Sequence, residues 1–489
     1  MADVLLLNPK FPLGKQKWII GGGSNRMYPP LDMAWICKIL EKEKINFKLI
    51  DANINRYSFE QIESFLKEYD PKVVLLTSEL YEQYRCFALR DERLSIHRRL
   101  IKLTKKILPK SKVILIGPHG TVLPNLIFQY SPDLDVIVRG EPEMISVELI
   151  KTLLKNKTLR KIDGISFKEN NKIKHNKERQ LLLELDKLSY PGYHVLEMDK
   201  YLFYRKKNSN VRSTILMSSR GCLFQCIYCF KKFMGNKFRT RSIKDIMKEI
   251  DLLYKQYKVE HISFYDDNFT TDKQRIIDLC RELKKRKYKL TWDAETRIEI
   301  VDEALIKLMA EAGCINILFG IESLIPAIQK TIKKFIDIKK INKVAKWCER
   351  YDVFPCMATQ LGLPGDSWET IKRNLKVMKK LDIPIAPPLI TTIYPTTQLY
   401  NAAKNAGFIQ NDSFEDCIKA SGLAMTKFKD RKEYFSALKY YHTKIARLNF
   451  KRNASSKNII KKLERHGLKY VLMHGFRMLK KLFGVLGNE

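Results

Sequence analysis

Two stretches of this chain repeat one pattern, a short and largely apolar run followed by a segment of helical period. Over residues 1–155 the apolar runs are Val4–Asn8, Phe47–Asp51, Val73–Ser78, Val113–Gly117 and Val136–Gly140. Helical patterns lie between and after them, at Leu31–Lys42, Phe59–Tyr69, Leu94–Leu108 and Pro142–Leu154. A strand without a polar face has to be covered on both sides, so the pattern predicts a parallel sheet wrapped by helices. The fold class is therefore α/β, opening with a doubly wound, Rossmann-like domain over 1–155. Between 213 and 408 the alternation returns six times, with apolar runs near Ile215–Arg220, His261–Tyr265, Lys289–Thr296, Ile315–Gly320, Phe354–Leu361 and Ile385–Ile393. Six such units predict a partial (βα)6 barrel. Residues 156–212 link the two blocks, with a hairpin expected around Glu169-Asn170-Asn171. Residues 409–489 lose the rhythm and read as a basic, helical C-terminal region.

In both architectures ligands gather where parallel strands end. The first block ends its strands in Asn8-Pro9, Asp51-Ala52, Thr77-Ser78-Glu79, Gly117-Pro118-His119-Gly120 and Arg139-Gly140-Glu141. No G-x-G-x-x-G turn follows the first strand, and Gly21-Gly22-Gly23 come well after it, so a dinucleotide site is not indicated. The second block is richer. Its first strand runs into Gly221-Cys222-Leu223-Phe224-Gln225-Cys226-Ile227-Tyr228-Cys229, a C-x3-C-x2-C spacing. Three thiolates on one loop hold three corners of a cubane iron–sulfur cluster, which ordinarily takes four cysteines, so one iron stays open. Structural zinc needs four closed ligands, usually two C-x2-C pairs, and no second pair exists here. The other seven cysteines (37, 86, 280, 314, 348, 356, 417) are scattered singly and read as buried small hydrophobes.

The cysteine spacing resembles the radical S-adenosylmethionine (SAM) family. That resemblance implies that Cys222, Cys226 and Cys229 ligate a 4Fe-4S cluster whose open iron chelates SAM and whose reduced form cleaves it. Four further segments resemble the family's pattern: Phe264-Tyr265-Asp266-Asp267-Asn268-Phe269, Arg297, Gly320-Ile321-Glu322-Ser323 and Gly362-Leu363-Pro364-Gly365. SAM presents an ammonium, a carboxylate, a ribose and an adenine, each needing its own partner. Asp266 and Asp267 suit the ammonium, and Arg297 the carboxylate. Glu295 or Glu322 suits the ribose, Tyr228 gives adenine an apolar wall, and Ser323 is a further expected SAM contact. An alternative for Asp267 or Asp272 is capping the helix that follows.

The first block's strand ends, with Tyr28-Pro29-Pro30-Leu31, resemble the cobalamin-binding domain that precedes many radical SAM domains. This resemblance places Pro30, Ser78, Gly117, His119, Gly140 and Glu141 at the cobalamin. The D-x-H-x-x-G histidine loop of cobalamin mutases is absent, so His119 reads as a loop residue lining the cleft, not as an axial ligand. The implied activity is methylation or rearrangement of an unactivated carbon in a small-molecule or lipid-like substrate, with flavodoxin or ferredoxin as external electron donor. Anaerobic oxidative cyclases and enzymes tailoring hopanoids and other natural products share this two-domain plan. RNA methylthiotransferases share the barrel but carry another cysteine triad in the N-terminal domain, where this chain has only Cys37 and Cys86. A plain electron-transfer protein would need neither an open iron nor these polar strand ends.

The net charge of +36 comes from lysine spread over every region, without a nucleic-acid-binding motif, so a nucleic-acid partner is not expected. No run reaches the roughly 18–20 apolar residues of a membrane span, and the N-terminus lacks signal-peptide features. The chain is expected in a reducing cytoplasm. Between Lys444 and Glu489 twelve Lys or Arg stand against two Glu. That tail either contacts a membrane surface peripherally or packs on the barrel. Replacing Cys222, Cys226 and Cys229 by alanine should abolish iron content and SAM cleavage. Cys280→Ala and Cys348→Ala should leave iron unchanged, as read by iron assay after anaerobic reconstitution.

Overall fold

The computed structural model describes residues 2–10, 28–78, 91–201, 203–206, 209–381 and 383–455, of which 91–95, 203–206 and 209–210 are described by backbone alone. The tail from 456 on and Gly21–Gly23 lie outside the described residues.

Strands β1 (Val4–Asn8), β2 (Phe47–Asp51), β3 (Val73–Thr77), β4 (Lys112–Ile116) and β5 (Val136–Val138) pair in parallel in the order β2-β1-β3-β4-β5. The hairpin expected in the linker forms as β6 (Ile165–Glu169) and β7 (Lys172–His175), and it extends this same sheet antiparallel beyond β5. The two faces of the sheet follow from residue parity. Leu6, Leu75, Ile114 and Val138 pack with Met33, Ile36 and Leu40 of helix Leu31–Lys42, and with Ile145 and Leu149 of helix Pro142–Leu154. Leu5, Leu7, Leu76 and Leu115 face the other way, into a core that runs on through Trp35, Tyr193 and Tyr201 to the barrel. One continuous apolar cluster therefore joins the two blocks.

After the short hairpin β8 (Phe203–Lys206) and β9 (Ser209–Val211), the second sheet is built of β10 (Ser213–Leu216), β13 (His261–Phe264), β14 (Thr291–Thr296), β15 (Cys314–Glu322), β16 (Phe354–Leu361) and β17 (Leu389–Ile390). These pair in parallel in sequence order. A two-residue ribbon, β11 (Ser219–Arg220) against β12 (Arg239–Thr240), interrupts the run after β10 and closes the base of the cysteine loop. Inner and outer faces alternate visibly along β14. Trp292 and Ala294 are buried outward, with Trp292 edge-on to Phe264 at 5.4 Å, whereas Asp293 and Glu295 are only half-buried on the inner face. Along β14 the inner face is thus polar and half-exposed. Among the described residues no helix is long and apolar enough to cross a membrane.

Capping residues set several helix starts. Ser242, Asp272, Asp302 and Asp430 each accept the N–H of the residue three positions on. Asp366, in the turn after β16, instead holds the Gly-Leu-Pro-Gly segment. It accepts the N–H groups of Gly362 and Leu363, both at 2.9 Å, and the Thr370 hydroxyl. Burial pushes its carboxyl up to about 6. The folded chain then holds more protons than the unfolded chain between about pH 4 and 6, so this group's contribution to stability falls as pH rises through that window. Relative to Asp366→Asn, the wild type should lose on the order of 2–3 kcal/mol between pH 4 and 7 in denaturant unfolding. A flat difference would remove Asp366 as the cause.

Candidate active site

The cysteine loop leaves β10 by way of Ser218 and Ser219, and both are gripped by one carboxylate. Asp266 Oδ1 accepts the Ser218 and Ser219 N–H groups at 2.7 and 3.1 Å, and Oδ2 accepts their hydroxyls at 2.5 and 2.7 Å. With four donors satisfied and no solvent exposure, Asp266 has no direction left in which to take an ammonium. The expectation for it is corrected: it is a strap between β10 and β13. Its neighbour Asp267 does reach the loop, accepting the Gly221 N–H at 2.9 Å. Asp272, not Asp267, caps the following helix. Gly221 is required here. Its φ is +82°, and a Cβ would lie 2.2 Å from the Lys237 carbonyl oxygen that folds back over it.

Within the loop Ile227 is pinned from both sides. Its N–H donates to Ile332 O at 3.4 Å, and its carbonyl accepts the Leu399 N–H at 2.9 Å. This fixes Cys226 and Tyr228, which flank it. Burial, and then the Asp267 carboxylate, push the Cys229 thiol up to about 12, and burial raises Cys222 as well. Bare thiolates are therefore costly at this position, and a bound cation is what would stabilise them. Among the described residues no three His, Cys, Asp or Glu side chains converge as they would on a single metal ion. Cubane ligands bind separate irons and need no such convergence, so three cysteines on this one loop suit a cluster.

The other SAM candidates surround this loop. Arg297 lies over the Phe224 ring at 4.1 Å, with Nη1 3.3 Å from Cys226 Sγ and Nη2 2.6 Å from Glu299. Its Nε is buried without a hydrogen-bond partner, a donor available to an incoming anion. Glu295 sits on the inner face of β14, in register with Leu318 of β15. Glu322 ends β15 at a register shift, with φ +51°. Its Oε1 pairs with Lys334 at 2.8 Å, both side chains being buried. The pair lies over Gly320, where a Cβ would come within 2.6 Å of Glu322 Oε1. Burial, and then the charge of Glu322, hold the Tyr228 hydroxyl well above the usual phenol range, so tyrosine, glutamate and cysteine loop share one locus. Ser323 does not join them. It is buried, its Oγ accepting the Ile325 N–H at 3.3 Å and facing Asn374.

On the N-terminal side, Ser78, Gly117 and His119 cluster at the ends of β3 and β4. Ser78 Oγ is 3.2 Å from His119 Nδ1 and occupies the place of a Gly117 Cβ. His119 is corrected from a loop residue to the first turn of helix Pro118–Val122, fully buried and edge-on to Phe414 at 5.3 Å. Pro30 is buried at the start of helix Leu31–Lys42, its carbonyl accepting the Ala34 N–H. Gly140 has open space where a Cβ would stand. The side-chain oxygen Asn8 Oδ1, at the end of β1, is buried with no hydrogen-bond partner. Open strand ends with an orphaned acceptor suit a large polar cofactor. Glu141 is corrected as well. Its carboxylate is taken up by Arg220 and Arg239, each at 2.9 Å, and by the Leu182 N–H at 3.0 Å.

A cleft of about 1030 Å³ runs from Gly140 and Glu141 to Cys226 and Cys229, so the two blocks open onto one space. Comparison with known proteins gives the same division: the radical SAM superfamily matches residues 216–378 and the B12 binding domain matches 18–150. The uncharacterized methyltransferase PH0819 of Pyrococcus horikoshii is 32% identical over 376 residues, 77% of this chain and 78% of its own. The chain belongs to the radical SAM family that carries a B12 binding domain. It is therefore an enzyme. The anaerobic magnesium-protoporphyrin IX monomethyl ester cyclase of Cereibacter sphaeroides is 23% identical, over 77% of this chain and 61% of its own. In fold, the radical SAM methyltransferase TsrM from Kitasatospora setae, solved with cobalamin and a [4Fe-4S] cluster, superposes with a TM-score of 0.65 at 18% identity, over 84% of this chain and 76% of its own.

Sequence reasoning missed the groups that hold this radical SAM site in place, among them Lys334, Asn374 and the arginines at the loop base. Lys334 carried no signal because it lies in a lysine-rich segment (Lys330, Lys333, Lys334), and only the fold shows which lysine turns inward. Lys334→Met leaves a buried carboxylate unpaired and should cost about 3 kcal/mol of stability. Lys334→Met with Glu322→Gln should cost clearly less than the sum of the two single changes in a double-mutant cycle of unfolding free energies. Additive costs would show the pair to be uncoupled.

Proposed function

We propose that this radical SAM enzyme methylates an unactivated carbon of a small-molecule or lipid-like metabolite, with cobalamin held by the N-terminal domain. The observation that carries the reading is the shared cleft, where the cysteine loop faces Arg139, Gly140 and Glu141 at the carboxyl end of β5. When bound, the cluster supplies the electron that cleaves SAM and the corrinoid supplies a transferable methyl group.

In this reading the chain's own residues bind, orient and exclude water. Arg297 takes the SAM carboxylate through its partnerless Nε, and Asp267 stands beside the ammonium. Glu295 and Glu322 offer acceptors for the ribose hydroxyls, with Tyr228 as the apolar wall. The left-handed backbone at Glu322 and its lock to Lys334 hold one acceptor in a fixed direction before ligand arrives, which lowers the ordering cost of binding. Gly140, with open space where a Cβ would stand, leaves room at the end of β5 for the corrinoid. The polar inner face bearing Asp293 and Glu295 offers a substrate hydrogen-bonding partners inside the barrel.

The cyclase relative supports a second reading, oxidative cyclisation or rearrangement in which no methyl group remains in the product. One experiment separates them. The protein is reconstituted anaerobically with iron, sulfide and hydroxocobalamin, and iron, sulfide and corrinoid are counted on the same sample. It is then incubated with methyl-labelled SAM and reductant. About four irons and one corrinoid per chain, with label leaving SAM for a small-molecule fraction, is the expected outcome. Iron and SAM cleavage without corrinoid or label transfer would move the assignment to the second reading. Failure to bind iron would overturn both.

A further inference from the structure

We propose that Asn268, in the turn after β13, serves SAM in two ways: its side-chain oxygen holds Arg297 in place, and its side-chain nitrogen donates to the SAM carboxylate. This role deepens the radical SAM reading and rests on it.

Asn268 is joined to both residues that reach the cysteine loop at this point. It follows directly on Asp267, which accepts the Gly221 N–H at 2.9 Å. On its other side the Oδ1 atom accepts the Arg297 N–H at 3.1 Å, and Arg297 Nη1 lies 3.3 Å from Cys226 Sγ. The same Oδ1 accepts the Thr296 hydroxyl at 2.8 Å, which is 2.5 Å from the hydroxyl of Thr270. The Phe269 N–H donates to Glu295 O at 3.0 Å, so the whole turn is laid along the end of β14. The Asn268 carbonyl is spent as well, accepting the Thr271 hydroxyl at 3.0 Å.

What is left is Nδ2. The amide cannot be turned over, because the Arg297 N–H needs an acceptor and a reversed amide would offer it only N–H groups. Nδ2 therefore keeps its two protons on the arm opposite Arg297 N. It is buried on a residue 1% exposed and has no hydrogen-bond partner. A bare buried donor is costly, and native structures rarely keep one without a use. Arg297 Nε is buried and bare in the same way. The residue that reads the carboxylate and the amide that holds it thus each keep one unspent donor. A carboxylate has two oxygens and accepts from both kinds of group. Arg297 supplies the charge, and the neutral Asn268 amide adds a direction.

The test uses the full chain with its cluster reconstituted anaerobically. Binding of labelled SAM is measured by equilibrium dialysis without reductant, and the midpoint potential of the cluster is measured without SAM. Asn268→Asp keeps the acceptor for Arg297 and removes the donor, whereas Asn268→Leu removes the donor without adding a charge. Both should weaken SAM binding about tenfold or more, the effect of losing one hydrogen bond to a charged group. Iron content and midpoint potential should match the wild type. Thr296→Val loosens the same hub but leaves Nδ2, and it should bind SAM as the wild type does. Undiminished SAM affinity in either Asn268 variant would overturn the donor role. An equal loss in Thr296→Val would do so too, by reducing Asn268 to a strut. A potential shifted without SAM, at unchanged SAM affinity, would hand the donor to a cluster sulfide and overturn the carboxylate assignment. A wild-type chain that takes up no iron would overturn the radical SAM reading itself, and this inference with it.

Discussion

Two arginines stand side by side at the base of the cysteine loop, Arg220 and Arg239, paired in register across a two-residue ribbon. Alone, two buried like charges at that separation would force the ribbon apart. Glu141 and Glu143, from the turn and helix after β5, neutralise them: Arg220 meets Glu141 at 2.9 Å and Glu143 at 2.7 Å, and Arg239 meets Glu141 at 2.9 Å. The ring of Trp35, in the first N-terminal helix, lies 5.3 Å from the Arg220 guanidinium. Buried ion pairs add little net stability over an apolar joint, but they fix register, because any other alignment strands a charge. The base of the cysteine loop is thereby tied to the N-terminal sheet.

From that joint outward, the cysteine loop and Glu322 are each held by neighbouring side chains and backbone. Asp266 sets the angle at which the loop leaves β10, and Ile332 and Leu399 hold its middle. Lys334 turns Glu322 over Gly320. Arg241 extends the same scheme behind the loop. It bonds to the Met217 carbonyl at 3.1 Å and to the carboxylates of Asp245 and Glu249, and Glu249 in turn accepts from Tyr193 of the linker. A radical reaction depends on exclusion and distance, and a lattice of buried, satisfied polar groups provides both by leaving few alternative conformations.

The C-terminal part closes the ring. Phe414 lies on His119 and Glu415 accepts from Tyr130, so helix Phe414–Ala420 bears on the N-terminal domain while its neighbours pack on the barrel. The Gly422 N–H donates to Thr391 O beside β17, and the Tyr434 hydroxyl reaches Leu361 O. Both domains are thereby tied to one C-terminal segment.

Strand positions in the N-terminal block were legible in the sequence because its central strands run parallel and are buried on both faces. Runs such as Val73–Leu76 leave no polar residue to confuse the period. The three cysteines were legible because their ligand spacing is local, set by one loop. Local spacing could not show that Asp266 spends its carboxylate on two serines, or that Glu141 serves Arg220 and Arg239. Nor could it show that His119 lies buried in a helical turn, or that Ser323 faces Asn374. Those outcomes depend on partners far off in sequence, 98 residues away for the Arg239–Glu141 contact, and a motif records residue type without recording who is nearest. The sequence alone determined two α/β layers and a loop able to carry three iron ligands, because hydrophobic period and chelate spacing are properties of short segments. Only the tertiary structure decided which acids remain open to a ligand and which are consumed as struts, because burial leaves each carboxylate just the donors that folding brings within reach.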